Sequence, residues 1–159
     1  MPTRRDTLRA TALIAATLAL PQAARAAVAE DGIVRVRSAY PMPETIARLK
    51  ADIAGKGILF FAEIDQAQLA RDAGVELLPS TLLVFGNPPL GTLFLTANPA
   101  SGLDWPVRLL VHQDADGAVW AVYTDFVWIA RRYGITTRDK EFAMASEVIA
   151  SITASVAVG

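Results

Sequence analysis

The stretch VRLLVHQDADGAVWAVYT, residues 107–124, decides the fold of this chain. Two apolar runs, residues 107–113 and residues 118–124, have the length and the residue types of β-strands. Turn-forming residues separate the two runs, and Gly117 can adopt the positive φ that a tight turn needs. Because a tight turn joins only antiparallel strands, this β-hairpin predicts a mainly antiparallel sheet.

Three more strands are predicted before the hairpin, at residues 33–40, 58–64 and 80–85. Residues 33–40 (IVRVRSAY) alternate apolar and basic side chains at first, which is typical of a half-exposed strand. Residues 80–85 (STLLVF) form an apolar run, which indicates a strand that is buried on both faces. This last strand is therefore expected in the centre of the sheet.

Helices are predicted where apolar residues recur at a spacing of three or four. Asp125 directly precedes such a segment and is expected to cap it by accepting a hydrogen bond from a backbone N–H. Thr136 or Thr137 is expected to cap the final helix in the same way. The predicted helices cover residues 44–54, 66–73 and 126–133, and the last one extends to about residue 156.

The order of these elements predicts an α+β domain. The expected architecture is a two-layer sandwich, with a mainly antiparallel sheet of about five strands and helices packed on one face. The other face would carry Phe61 and Trp120, so we expect something to cover it. Residues 86–106 (GNPPLGTLFLTANPASGLDWP) are too long and too apolar for an ordinary loop, and a helical turn is predicted at residues 92–97.

The first 26 residues have the three parts of a secretory signal. Arg4, Arg5 and Arg9 form a basic region, and residues 10–20 form an apolar run of 11 residues. Residues 24–26 (Ala-Arg-Ala) then provide the small side chains that a signal peptidase requires. The apolar run is too short to span a bilayer, which takes about 20 residues.

The paired arginines also resemble those of the twin-arginine export signal, although Thr7 replaces the usual aromatic residue. Cleavage after Ala26 would leave a single domain, residues 27–159, in the periplasm or outside the cell. Removal of four Arg and one Asp leaves 11 basic and 15 acidic residues, a net charge of −4. We therefore expect no nucleic-acid partner, and no membrane association once the signal is removed.

The composition excludes several classes of protein and of site. The chain has 159 residues, of which 53% are hydrophobic and 19% charged, so it is too apolar to be disordered. It has no cysteine and one histidine, His112, which excludes disulfides, thiolate sites and multi-histidine metal sites. The sequence indicates no metal and no cofactor.

Several short motifs follow one another from the third strand onward: Phe85-Gly86-Asn87-Pro88 with Gly91-Thr92, Asn98-Pro99 with Gly102-Leu103-Asp104, Pro106, the hairpin ending in Trp120, Tyr123 and Asp125, and Ala130-Arg131-Arg132-Tyr133-Gly134. With these motifs, the chain resembles the domain-of-unknown-function 302 family over residues 36–152. Trp105 departs from the pattern, where an aliphatic residue is usual. The resemblance implies a small two-layer domain, similar in topology to half of the TATA-box-binding protein, that tends to form homodimers; it implies no activity.

Two of these motifs are candidate ligand-binding segments because glycines admit a ligand close to the backbone and the polar residues offer hydrogen bonds. Asp104 is the carboxylate most suited to chemistry or to ligand contact. The alternative is that both motifs are structural turns, in which Asn and Asp side chains bond to nearby backbone. The candidate residues are Asn87, Gly91, Thr92, Asn98, Gly102 and Asp104.

Other polar residues are better explained by structure than by function. His112 lies on a predicted strand without a partner residue that would suggest catalysis. Asp114 and Asp116 fit a turn, since the remaining carboxylates of a calcium loop are missing. Arg131 and Arg132 are expected on the solvated face of their helix.

Three functions remain open. The first is a non-enzymatic binding or interaction module that recognises a small molecule or a protein through residues 86–106. The second is an enzyme of unknown reaction in which Asp104 acts with Asn87, Asn98 or His112 in a cleft. The third is a purely structural dimer whose 86–106 segment packs across the interface. The sequence leaves open whether the chain is an enzyme.

Overall fold

A computed structural model describes residues 30–159 of the chain. The signal predicted at residues 1–26 lies outside the described residues. Within residues 30–159, no helix has both the length and the apolar character needed to cross a membrane.

Within the described residues, five strands form one antiparallel sheet in the order β1-β5-β4-β3-β2. The predicted hairpin joins β4 to β5, and Gly117 in its turn has a φ of 82°. The apolar third strand lies inside the sheet between two neighbours, as its sequence predicts. The strands are β1 (Ile33–Arg37), β2 (Leu59–Asp65), β3 (Ser80–Gly86), β4 (Val107–Gln113) and β5 (Val119–Thr124).

In the part of the chain from residue 30 to residue 159, five α-helices and one 3₁₀ helix connect and cover the strands, which confirms the predicted α+β fold. The helices are α1 (Met42–Gly55), α2 (Gln66–Asp72), α3 (Pro88–Ala97), α4 (Phe126–Arg132) and α5 (Asp139–Ala154), with the 3₁₀ helix at Pro99–Leu103.

The core lies between the helices and one face of the sheet. Leu83 on β3 pairs with Leu109 on β4, and both are fully buried. The next pair along these strands, Leu82 with Leu110, points to the other face and keeps partial exposure. This alternation shows that the helices cover one face, as expected for a two-layer sandwich.

The segment at residues 86–106 is more helical than its sequence predicts. Instead of one helical turn at residues 92–97, it contains α3 and the 3₁₀ helix. Asn87 and Asn98 begin these helices, each accepting a backbone N–H, and prolines occupy the first helical positions that follow. Proline is favourable there because the first N–H groups of a helix have no partner within it.

The two predicted helix caps have different outcomes. Asp125 caps α4 as predicted, and its Oδ1 accepts a hydrogen bond from the backbone N–H of Trp128 at 2.8 Å. The prediction of a Thr136 or Thr137 cap for α5 is wrong, because the helix begins after Arg138, which has a φ of 74°. Acidic residues in the first turn of α5 complement its dipole instead.

Candidate functional site

Asp104 is a buried carboxylate that is held by three side-chain donors. Its side chain is 5% exposed. Oδ1 accepts a hydrogen bond from Nη2 of Arg108 at 2.6 Å. Oδ2 accepts from the hydroxyl of Tyr133 at 2.6 Å and from Nη1 of Arg132 at 3.3 Å. Such charge-assisted hydrogen bonds are the stronger ones in proteins.

Three separate elements bring these residues together. Asp104 follows the 3₁₀ helix, Arg108 lies near the start of β4, and Arg132 and Tyr133 lie at the end of α4. The amide of Asn98 donates a hydrogen bond to the backbone oxygen of Tyr133 at 2.8 Å. Tyr133 is thus joined to both ends of the second candidate motif, and the structure brings Asn98 and Asp104 to the same place.

The cluster has an excess of positive charge. One carboxylate faces two guanidinium groups, while the side chains of Arg108 and Arg132 are 50% and 47% exposed. The hydrogen bond to Asp104 raises the pKa of the Tyr133 hydroxyl, so the phenol stays protonated and acts as a donor. The guanidinium of Arg132 also lies 5.5 Å from the ring centre of Trp128.

The first candidate motif serves α3. Asn87 Oδ1 accepts a long hydrogen bond of 3.4 Å from the backbone N–H of Leu90. The hydroxyl of Thr92 donates to the backbone oxygen of Pro88 at 2.7 Å. Gly91 allows close packing, because a Cβ at this position would overlap the indole of Trp105. These roles agree with the structural alternative for the first motif, because Asn87 caps α3 and both Gly91 and Thr92 lie on it.

Gly102, the remaining candidate, is exposed in the 3₁₀ helix. A Cβ there would meet only the side chain of Leu95, at 3.8 Å. The backbone at Gly102 is thus open to solvent. Its neighbour Ser101 is buried, and its hydroxyl has no hydrogen-bond partner among residues 30–159.

An apolar cavity lies between α3, α5 and the sheet. Its volume is about 40 Å³, and its walls include Gly91, Trp105, Phe94 and Ile149. A single water needs about 10–15 Å³ measured in this way, so the cavity is small compared with a ligand site. Residues 86–106 therefore enclose little space for a buried ligand.

A larger cleft lies at the end of the sheet where β1 and β4 finish and β3 begins. Its volume is about 930 Å³, and residues of both charges line it, including Arg37, Glu63 and Arg71. The buried residues Ser80 and Thr81 also line it. The sequence analysis did not predict this cleft, because its walls come from segments that are distant along the chain and share no motif.

Other polar residues have the places expected for structural roles. His112 lies on β4 opposite Trp120 and Ser80. Asp114 accepts hydrogen bonds from the Trp120 indole and from the backbone N–H groups of Asp116 and Ala118. These bonds, the indole first, hold the pKa of Asp114 below its usual value. Within residues 30–159, no three His, Asp or Glu side chains are grouped closely enough to hold a metal ion.

The sequence analysis missed the partners of Asp104. It placed Arg132 on a solvated helix face, but this half-exposed side chain is paired with Asp104. Arg108 was not singled out at all. The sequence feature that could have pointed to two of these partners was the motif of residues 130–134. It contains both Arg132 and Tyr133 and lies within the family resemblance.

Comparison with solved structures supports the fold. The crystal structure of the uncharacterized conserved protein DUF302 from Bacillus stearothermophilus superimposes with a TM-score of 0.72. The match covers 79% of this chain and 98% of that chain, at 18% sequence identity. At this identity the similarity shows a shared fold alone.

Two relatives from Brucella carry the name of an ion channel. The fluoride-specific ion channel FluC 1 of Brucella suis biovar 1 (strain 1330) is 36% identical over 110 residues, which are 69% of this chain and 43% of that protein. FluC 2 of Brucella melitensis biotype 1 (strain ATCC 23456 / CCUG 17765 / NCTC 10094 / 16M) has the same identity over 41% of its length. The chain thus spans less than half of these relatives.

A family model matches nearly the whole of the described domain. The match runs from residue 34 to residue 157. It includes β1 without its first residue, Ile33, and the whole of β2 to β5. It also includes Asp104 and its three partners. The chain therefore belongs to the family described as Domain of unknown function DUF302.

Proposed function

We propose that the chain is an exported, non-enzymatic binding or interaction module that acts through residues 86–106 and the side chains held by Asp104. The observation that carries this proposal is the saturation of Asp104 by Arg108, Arg132 and Tyr133. A general acid or base must exchange a proton with its substrate. A buried carboxylate that binds two guanidinium groups and a phenol is suited to positioning these groups instead.

The enzymatic alternative required Asp104 to act with Asn87, Asn98 or His112. Of these, Asn98 comes near through Tyr133, but its amide is bonded to backbone atoms. Asn87 caps α3, and His112 lies further along β4. This arrangement favours recognition over acid–base chemistry.

Native mass spectrometry of the mature protein, recovered from the periplasm of its own host, tests this proposal. It weighs the assembly and any bound molecule together. A reproducible small-molecule adduct that disappears in Asp104→Ala, while the variant remains folded, supports recognition through this segment. An adduct that persists in the variant contradicts it. Detection of the protein in the periplasmic fraction of its host tests export separately. Its absence from that fraction contradicts export to the periplasm.

We also propose that the module forms a homodimer through the edge strand β2. Leu59 and Ile64 on this strand are 54% and 37% exposed. An edge strand with exposed apolar side chains favours pairing with another strand. Pairing β2 with its copy would extend the sheet across the dimer. Other large apolar side chains are exposed on β2 and on the segment that follows it, namely Phe60, Phe61, Leu69, Val75, Leu77 and Leu78.

Light scattering after size-exclusion chromatography tests the dimer. The wild-type protein should have the mass of two chains, and the double variant Leu59→Lys with Ile64→Lys should have the mass of one. Leu103→Lys is the matched control, because Leu103 is 68% exposed but lies on the 3₁₀ helix. A monomeric wild type, or a dimer that survives the double substitution, contradicts the proposal.

The names of the Brucella relatives favour a second candidate function, a role beside an ion channel. At most 29 of the 110 aligned residues can lie outside residues 30–159. Within residues 30–159, no helix is suited to cross a membrane. A helical channel requires membrane-spanning segments of about 20 apolar residues. The similarity supports a role for this domain beside a channel.

Growth in the presence of fluoride tests this second candidate. A host strain that lacks the gene should grow less well than its parent as the fluoride concentration rises, and the restored gene should recover growth. Chloride at the same ionic strength is the control. Equal growth of the two strains in fluoride contradicts the candidate.

A further inference from the structure

We propose that Arg108 and Arg132 form a binding site for a small oxyanion, such as a phosphate or carboxylate group, with Asp104 and Tyr133 as positioning residues. This inference rests on the proposed binding function and names the class of ligand.

The charge of the cluster favours an anion. Asp104 supplies one negative charge, whereas Arg108 and Arg132 supply two positive charges, and Tyr133 is a neutral donor. One positive charge therefore remains after internal pairing. Guanidinium groups suit oxyanions because their N–H donors form a planar fork that matches carboxylate and phosphate oxygens.

The two guanidinium groups also have donors to spare. Each arginine has five N–H donors, and each makes one side-chain hydrogen bond within residues 30–159, which is the bond to Asp104. Both side chains are about half exposed, so their remaining N–H groups are open to solvent. Binding an anion there would not require the removal of Asp104.

The two guanidinium groups are close neighbours, because both bind the carboxylate of Asp104. The bonded nitrogens of Arg108 and Arg132 contact different oxygens of the same carboxylate, so they lie within about 8 Å of each other. Two charge-assisted hydrogen bonds of about 2.8 Å each, together with the width of a carboxylate or phosphate, span a similar length. We infer that the remaining N–H groups of these neighbouring arginines share one anion.

The position of the ligand follows from the space around Asp104. The cavity next to Asp104 and Arg108 has a volume of about 10 Å³, which is room for one water at most. The anion must therefore bind on the solvent side of the guanidinium groups. Because these groups are half exposed, we expect binding to weaken as the salt concentration rises.

Backbone amide chemical shifts, followed by NMR during titration with inorganic phosphate, test the site. The full mature chain is used at neutral pH and constant ionic strength, with acetate as a second probe for the carboxylate class. Wild-type protein should show saturable shifts at residues 104, 105, 107 and 108 and at residues 131–133, since Pro106 has no backbone N–H. Arg108→Gln and Arg132→Gln should each raise the dissociation constant by at least about tenfold.

Arg131→Gln is the matched control, because Arg131 is a neighbouring exposed arginine on α4 that does not pair with Asp104. It should bind phosphate like the wild type. Shifts that are absent, or that remain in Arg108→Gln and Arg132→Gln, overturn the site. An uncharged adduct on the periplasmic protein would then leave the binding function standing, whereas the absence of any adduct as well would count against both.

Discussion

The indole of Trp105 lies against the α-carbon of Gly91, so closely that a Cβ at position 91 would overlap the ring. Gly91 is buried within α3, where glycine is less favourable than alanine by about 1 kcal/mol. The close approach of Trp105 explains why glycine occupies this helical position. This contact joins α3 to the chain that enters β4.

Gly91→Ala should therefore destabilise the protein, although alanine is the better helix former. We expect a loss of about 1–3 kcal/mol, the usual cost of overpacking a core. Removal of the indole should reverse the effect, so that Gly91→Ala becomes neutral or stabilising in a Trp105→Leu background. Denaturant unfolding of the four proteins in this double-mutant cycle measures both effects.

Gly55→Ala is the control, because Gly55 ends α1 with nothing within 4 Å of an added Cβ. It should leave stability unchanged or raise it by up to about 1 kcal/mol. If Gly91→Ala is as harmless as Gly55→Ala, the contact with Trp105 does not restrict position 91.

Local patterns were sufficient to predict most of the fold. The alternation of residues in β1, the apolar run in β3 and the turn at Gly117 each depend on near neighbours, and each prediction is confirmed. The 86–106 segment was harder, since Asn, Pro and Gly are common to loops and to helix starts. Glycine is required at position 91 of α3 because Trp105 packs against it, and sequence periodicity does not reveal this contact.

The candidate site was harder to predict than the fold, because it depends on contacts between residues that are distant along the chain. Asp104 could be singled out from its motif, but its partners include residues 28 and 29 positions later in the chain. Nothing in the spacing of Arg132 predicts that it faces Asp104, since an exposed helix position normally means solvation. Only the packing of α4 beside the 3₁₀ helix creates the pair.

Asp104→Ala should cost the folded protein about 2 kcal/mol. Hydrogen bonds to charged groups contribute about 1.5–3 kcal/mol each, but the two half-exposed arginines regain water when the carboxylate is removed. The free energy of unfolding in urea measures the loss.

Asp116→Ala serves as the control for Asp104→Ala, because Asp116 is an exposed residue of the hairpin turn. We expect its effect to stay within about 0.5 kcal/mol. Equal stability of the two variants would mean that the Asp104 cluster contributes nothing to folding and is held together for another reason.

The Tyr133 hydroxyl should ionise at higher pH than an ordinary tyrosine, because its hydrogen bond to Asp104 raises its pKa. In the unfolded chain this pKa is about 10. The contribution of the bond to stability is thus fully present below pH 10 and is lost as the pH rises through the folded pKa. Tyrosine ionisation, followed by ultraviolet absorbance, measures the shift.

Asp104→Asn should bring the pKa of Tyr133 back towards the ordinary value, since the neutral amide no longer opposes the phenolate. Comparison with Tyr133→Phe assigns the transition to this residue. The pKa of Tyr123, which burial raises, should not change in either variant. An unshifted Tyr133 in the wild type would show that its hydroxyl does not donate to Asp104 in solution.

The two helix caps that differ in geometry should differ in energy. Asp125 accepts the N–H of Trp128 at 2.8 Å, whereas Asn87 accepts that of Leu90 at 3.4 Å, which is near the limit of a hydrogen bond. We expect Asp125→Ala to cost about 1 kcal/mol and Asn87→Ala less than about 0.5 kcal/mol.

Unfolding in urea measures both cap variants, and Asp125→Ser, which preserves a capping oxygen, should restore most of the stability lost in Asp125→Ala. The contrary outcome is also informative. If Asn87→Ala costs as much as Asp125→Ala, the amide of Asn87 makes a stronger contact in solution than its long bond to Leu90. The start of α3 would then be held by more than a weak cap. Asn87 would again be a candidate ligand-binding residue, to be tested together with Asp104.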